Sequence, residues 1–181
     1  MRGLGLALTM AAFTLGAAGI AQAHGPTRQK ITESVEVNAP AAKVWAVIGN
    51  FQDMSWHPAV EKTEGTGGNE PDVAKRQVTL KGGGELDEEL TRYEPDEFSY
   101  SYFLPHVDVK VLPVNNYSST ITVIPEGDDK SKVEWRGAFY RGYPNNDPPP
   151  ELNEEAAIKA VTAVYRAGLD ALQKRFGGGP S

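Results

Sequence analysis

Residues 151–176 read ELNEEAAIKAVTAVYRAGLDALQKRF, the longest run of helical periodicity in the chain. Ile158, Val161, Thr162, Tyr165, Leu169, Leu172 and Phe176 recur at spacings of three and four, so at about 3.6 residues per turn they form one apolar stripe. Glu155, Lys159, Arg166, Asp170 and Lys174 fall on the opposite face, where Glu155 with Lys159 and Asp170 with Lys174 are i, i+4 pairs of the favourable orientation. Pro148, Pro149 and Pro150 can only precede such a helix. Glu154 and Glu155 suit its positive N-terminal end, Arg175 suits the other end, and the glycines from Gly177 stop it. A helix apolar on one side needs a surface to lie on, and the rest of the chain must supply it. Gly168 interrupts the stripe at a cost of about 1 kcal/mol against alanine. It is either simply tolerated, or it admits a close approach, or it leaves space for something bound beneath.

Upstream, the periodicity is that of a sheet. Residues 29–37 alternate with Ile31, Val35 and Val37 on one face, and Asn38-Ala39-Pro40 ends the strand. Residues 41–48 carry Val44, Val47 and Ile48 at helical spacing, with Gly49 as C-cap, and 51–56 reads as a second short helix or a turn, closed before Pro58. Strands are expected at 59–63, 76–80 and 85–93, the last two joined by Lys81-Gly82-Gly83-Gly84 as a hairpin. Phe98, Tyr100, Tyr102 and Leu104 share one face of the next strand, residues 107–113 are ambiguous, and 117–123 and 132–140 alternate again. The order implies an α+β domain: a curved antiparallel sheet of about seven strands wrapped around the long C-terminal helix, with two short helices after the first strand.

The first residues are expected to lie outside that domain. Arg2, the apolar run 4–20 and Ala21-Gln22-Ala23 compose a secretory signal peptide, 1–23, cleaved after Ala23, with 24–181 as one exported domain. A stable membrane anchor is disfavoured by the short, glycine-broken run. The absence of a twin arginine favours the general secretory route into the periplasm. The chain has no cysteine, which excludes disulfides and thiolate chemistry. With 24 acidic against 18 basic residues it is ill suited to nucleic acid or anionic membranes.

Signatures of common enzymes are missing: no G-x-S-x-G, H-E-x-x-H, Walker A or G-x-G-x-x-G occurs in the exported part. Gly65-Thr66-Gly67-Gly68 lacks a following helix and reads as a plain loop. His24 would offer an imidazole and a free α-amine after cleavage, a pair able to chelate copper, against the alternative of a mobile terminus. His57 is either a polar contact at the mouth of a pocket or a hydrogen-bonded buried histidine, and His106 reads as loop. In the run Glu85, Asp87, Glu88, Glu89, the odd-numbered residues share one face and Glu88 takes the other. A solvated edge competes with a buried Glu88 or Glu89 acting as acid or base. Asn116-Tyr117-Ser118 fits the glycosylation sequon but falls in expected strand. Trp56, His57, Tyr100, Tyr102, Tyr117, Trp135, Phe139 and Tyr165 are the candidate lining of a space between sheet and helix, where aromatics either fill a core or line an apolar pocket with hydroxyl handles.

The whole exported chain resembles the helix-grip fold of the START-like, Bet v 1-like and polyketide cyclase (SRPBCC) superfamily. More narrowly it resembles the MxaD family of periplasmic proteins associated with methanol oxidation. The residues that carry this are His24-Gly25-Pro26, Trp56-His57-Pro58-Ala59-Val60, Gly67-Gly68-Asn69 with Lys75-Arg76, and Leu112-Pro113-Val114 with Tyr117-Ser118. Further matches are Val133-Glu134-Trp135, Phe139-Tyr140-Arg141-Gly142 and Pro149-Pro150-Glu151-Leu152-Asn153. The resemblance implies a non-enzymatic accessory protein without cofactor or catalytic residues, assisting contact between methanol dehydrogenase and its cytochrome c acceptor. A START-like carrier or sensor of a small hydrophobic ligand is the alternative. A cyclase-like or hydrolytic enzyme using His57 or Glu89 is a third reading, for which no nucleophile, base and orienting group stand out as a set.

Overall fold

The computed structural model describes residues 25–178; the expected leader and His24 lie outside them. Strand β1 (Gln29–Val37) leads into helix α1 (Ala41–Ile48), capped by a turn at Gly49. Five strands follow, β2 (Val60–Thr66), β3 (Lys75–Leu80), β4 (Glu85–Glu94), β5 (Ser99–Phe103) and β6 (Val114–Pro125). Strand β7 (Ser131–Arg141) and the long helix α2 (Glu154–Phe176) complete the fold. All neighbours in the seven-stranded sheet are antiparallel, in the order β1-β7-β6-β5-β4-β3-β2, so the first strand closes against the last and α2 lies across β1 and β7. This is the expected helix-grip architecture. Among the described residues no helix is long and apolar enough to cross a membrane.

Alternation decides what the sheet buries. Val133, Trp135, Gly137 and Phe139 of β7 and Val35 and Val37 of β1 lie on the face toward α2. Ile121 and Val123 of β6 with Tyr100 and Tyr102 of β5 are buried on the inner side of the sheet, where β6 also meets α1 and Tyr100 meets Trp45 and Phe51. Burying these side chains, together with Val161, Tyr165, Leu169 and Leu172 of α2, supplies the main favourable contribution to folding, on the order of 1.5–3 kcal/mol for each large apolar group.

Several boundaries depart from the sequence reading. Residues 51–56 form turns closed by bonds such as Asp53 N–H to Asn50 O and His57 N–H to Met54 O, not a second short helix. Helix α2 starts at Glu154, because Asn153 is extended and its Oδ1 accepts the Ala156 N–H at 2.8 Å; Pro150–Leu152 is a separate 3-10 turn. The buried arc of α2 shares Val161, Tyr165, Leu169 and Leu172 with the expected stripe and is turned slightly to include Ala157 and Gly168, so that Ile158 is 36% exposed. Gly168 sits where the helix meets the His57, Trp135 and Trp56 rings. Asp170 pairs with Arg166, whose guanidinium also donates to Ser34 O of β1. Phe98 precedes β5 in a left-handed conformation, and residues 107–113 are an irregular loop with a turn at 109–111. Asn116 is exposed at the bulge of β6.

Candidate functional site

Between the sheet and α2 lies a narrow cavity lined by Met54, His57 and Val60, by Val78, Leu86 and Glu88 of the β3–β4 hairpin, and by Tyr102, Tyr117, Trp135, Val161 and Val164 among others. Its volume is about 30 Å³. One water needs roughly 10–15 Å³ on this measure and a drug-sized pocket spans about 300–1,000 Å³, so the space holds a guest of a few heavy atoms without repacking.

Of the eight residues singled out in the sequence, His57, Tyr102, Tyr117 and Trp135 line this cavity. The other four pack around it. Tyr165 stacks on Trp135 with ring centres 4.5 Å apart, Trp56 packs against His57 and Trp135, Phe139 lies beside Tyr117, and Tyr100 lies against Phe51 and Trp45. Gly168 is where these rings meet the helix. A Cβ there would lie 2.6 Å from His57 Cδ2, 2.9 Å from Trp135 Cζ3 and 3.0 Å from Trp56 Cζ3, so its lack of a side chain is filled by aromatics and leaves no void. Gly137 does the same for the opposite wall, since a Cβ on it would overlap the Tyr165 hydroxyl.

His57 has both ring nitrogens engaged. Val164 O accepts from Nε2 at 2.9 Å, so Nε2 carries the proton, and Nδ1 accepts the Ala59 N–H at 3.2 Å. The neutral ring thereby ties the turns after α1 to the middle of α2. Burial lowers its pKa below the ordinary 6.5, the bond to Val164 opposes this, and the nearby Arg76 charge adds to the lowering. Such a histidine is poorly placed to exchange protons with a substrate.

Sequence reasoning missed the site's charged pair. Arg76 Nε donates to Glu88 Oε2 at 2.5 Å and Arg76 Nη1 to Phe51 O at 2.6 Å, while the guanidinium sits 4.2 Å from the Phe51 ring centre. Both side chains are buried. Burial works against the Arg76 charge, yet the Glu88 carboxylate, together with Tyr100 and Tyr102, more than offsets it and the guanidinium pKa rises. Burial also pushes the Glu88 carboxyl above its usual range, with Arg76 pulling back. Neither Arg76 Nη2 nor the Tyr100 hydroxyl has an aligned partner. The signal was available: the hairpin turn at 81–84 sets Arg76 opposite Glu88, each on the parity of Val78 or Leu86 that faces inward. Glu89 faces outward and pairs with Lys75 at 2.8 Å, away from the cavity.

A second buried network runs through the aromatics. Trp135 Nε1 donates to Ser119 Oγ at 2.9 Å, Ser119 Oγ donates to Arg136 O at 2.9 Å, and the Tyr165 hydroxyl lies 2.7 Å from both Ser119 Oγ and the Tyr117 hydroxyl. Burial pushes the pKa of Tyr102 and Tyr117 well up and raises that of Tyr165, so all three stay protonated at physiological pH. Among the described residues no group of three or more His, Asp or Glu could hold a metal ion; His106 lies in a loop beyond β5.

This architecture recurs in known structures. It is similar to the protein XoxI from Bacillus cereus, with 29% identity and a TM-score of 0.68 over 81% of this chain and 94% of that one. An uncharacterised protein from Bacillus thuringiensis is 30% identical, with a TM-score of 0.68 over 82% of this chain and 98% of that one. Norcoclaurine synthase from Thalictrum flavum, solved with dopamine and hydroxybenzaldehyde, has the same fold at 20% identity, with a TM-score of 0.63 over 92% and 96% of the two chains. The fold thus serves at least one enzyme. No curated protein matches the sequence significantly. The profile of polyketide cyclase / dehydrase and lipid transport proteins matches residues 28–177, nearly all of the described chain, and the protein belongs to that family.

Proposed function

We propose that the protein acts by binding rather than by covalent catalysis, as an exported periplasmic accessory protein of methanol oxidation that promotes productive contact between methanol dehydrogenase and its cytochrome c acceptor. The observation that carries this reading is the loop between β7 and α2. The buried guanidinium of Arg141 donates from Nε to Tyr143 O at 2.8 Å, from Nη2 to Asn145 O at 2.7 Å and from Nη1 to Glu154 Oε1 at 2.6 Å. Residues 144–147 are exposed around that anchor, and Pro148, Pro149 and Pro150 stiffen the approach to α2. A loop ordered in advance loses little entropy on meeting a partner. Both of its flanks carry stretches on which the MxaD resemblance rests, Phe139-Tyr140-Arg141-Gly142 and Pro149-Pro150-Glu151-Leu152-Asn153. The tight packing at Gly168 and the engaged nitrogens of His57 also favour a surface role over chemistry in the interior. The test is the rate of electron transfer from methanol dehydrogenase to cytochrome c with the purified protein added. Acceleration that is lost on Arg141→Ala is expected; a native protein with no effect on rate or binding sinks the reading.

A second reading, a carrier or sensor of a small ligand held between sheet and helix, is favoured by the cavity itself, where Glu88, Tyr102 and Tyr117 bring polar atoms into an otherwise apolar lining. Native mass spectrometry and ligand titration that find no bound or bindable molecule would remove it.

A further inference from the structure

We propose that the cavity between the sheet and α2 takes a small neutral alcohol, recognised by its hydroxyl proton. This rests on the ligand-binding reading and adds to it the chemistry of the guest.

Counting protons fixes the direction of each bond around the cavity wall. Four contacts of 2.7–2.9 Å join Trp135 Nε1, Ser119 Oγ, the Tyr165 and Tyr117 hydroxyls and the carbonyl of Arg136. The indole N–H and three hydroxyls bring four protons to those four contacts, and each contact is attractive only with a proton in it. The carbonyl can only accept, so it takes the Ser119 proton. Ser119 must then accept from both Trp135 and Tyr165. Tyr165, having given its proton to Ser119, accepts from Tyr117. The last proton in the chain is thereby spent, and Tyr117, which is among the residues lining the cavity, has an oxygen that can only accept.

The other polar lining groups extend this bias. His57 has both nitrogens engaged, and Glu88 can only accept while ionised. The Glu88 charge is already matched by Arg76, so a cationic guest would be buried without a counter-charge of its own. Tyr102 brings a hydroxyl that can donate or accept. Acceptors therefore outnumber donors around an apolar space. The fitting guest donates one hydrogen bond, accepts one at most, and has a short alkyl body to match about 30 Å³.

Ethanol and acetonitrile are similar in size and differ in the hydroxyl proton. Each is titrated into the full-length mature protein and followed by two-dimensional NMR at the Trp135 indole N–H and the amides of Ala59, Val161 and Val164. Saturable shifts with ethanol at an affinity about tenfold above that for acetonitrile are expected, the size of one buried hydrogen bond made or missed. In Ser119→Ala the Tyr165 proton is free to turn to Tyr117 and the Tyr117 proton toward the cavity; both probes can accept that proton, so the preference for ethanol is expected to fall toward equal affinity. Tyr117→Phe, which removes this acceptor and leaves those of Glu88 and Tyr102, reduces the preference and decides the matter if the Ser119 variant loses the native spectrum. Equal affinity for the two probes in the native protein overturns the donor selection and leaves the ligand-binding reading standing. Saturable shifts with neither probe overturn both.

Discussion

Gly168 lies where His57, Trp56 and Trp135 press against α2, and a methyl group there meets rigid rings that have little freedom to yield. Alanine would gain roughly 1 kcal/mol of helix propensity and lose about 1–3 kcal/mol to overpacking. Gly168→Ala is therefore expected to lower stability in urea unfolding by up to about 2 kcal/mol; a midpoint equal to or above the native one would show that the rings move aside. The Arg76–Glu88 pair is a starker case. Arg76→Met leaves a buried carboxylate without its partner and is expected to destabilise by about 3–5 kcal/mol, whereas Arg76→Met with Glu88→Leu recovers most of that. A double variant no more stable than the single one would contradict this account. Both residues were legible as members of inward-facing strand positions. Their pairing needed the hairpin register as well, and a run of four carboxylates within five residues suggested solvent instead.

At the level of elements, the turns after α1 are fastened to the sheet by Arg76 and to α2 by His57. The second fastening depends on pH. With its folded pKa held below 6.5, His57 contributes stability that is fully present above 6.5 and is lost as pH falls through the folded value, since the unfolded chain takes up the proton first. Glu88, with a raised folded pKa, acts in the opposite sense, contributing most below its ordinary 4.5 and losing that as pH rises. Unfolding midpoints measured from pH 7.5 to 5 should therefore fall more steeply for the native protein than for His57→Gln, which keeps a side-chain donor but cannot titrate; parallel curves would refute the assignment. Helix α2 offers a second check. Asn153→Ala removes the bond to the Ala156 N–H and is expected to cost about 1 kcal/mol, read by chemical denaturation, with Asn153→Asp close to native.

For the whole molecule, the export reading makes its own prediction. Protein recovered from the periplasm of a bacterium expressing the full chain should begin at His24, as mass spectrometry of the intact species would report; a mature form retaining residues 1–23 would contradict cleavage after Ala23. The fold itself tolerates little ambiguity. Seven strands in one sheet, with the first strand paired to the last, expose one face to solvent and require the other to be covered, and α2 is the cover.

Periodicity identified most of the elements and their buried sides, because a two-residue alternation and a 3.6-residue repeat can each bury their apolar side in one way, whereas the pairing of β1 with β7 was decided by the tertiary structure. It placed β1 at its observed bounds and named the aromatics that surround the cavity. Which of those aromatics line the space and which fill it was decided only by tertiary contact. The stacking of Tyr165 on Trp135 and the closure of Gly168 against three rings join residues far apart in the chain. The direction of the hydrogen bonds from Tyr117 to Arg136 O was likewise beyond the sequence, since it depends on distances among four side chains and one carbonyl on β6, β7 and α2.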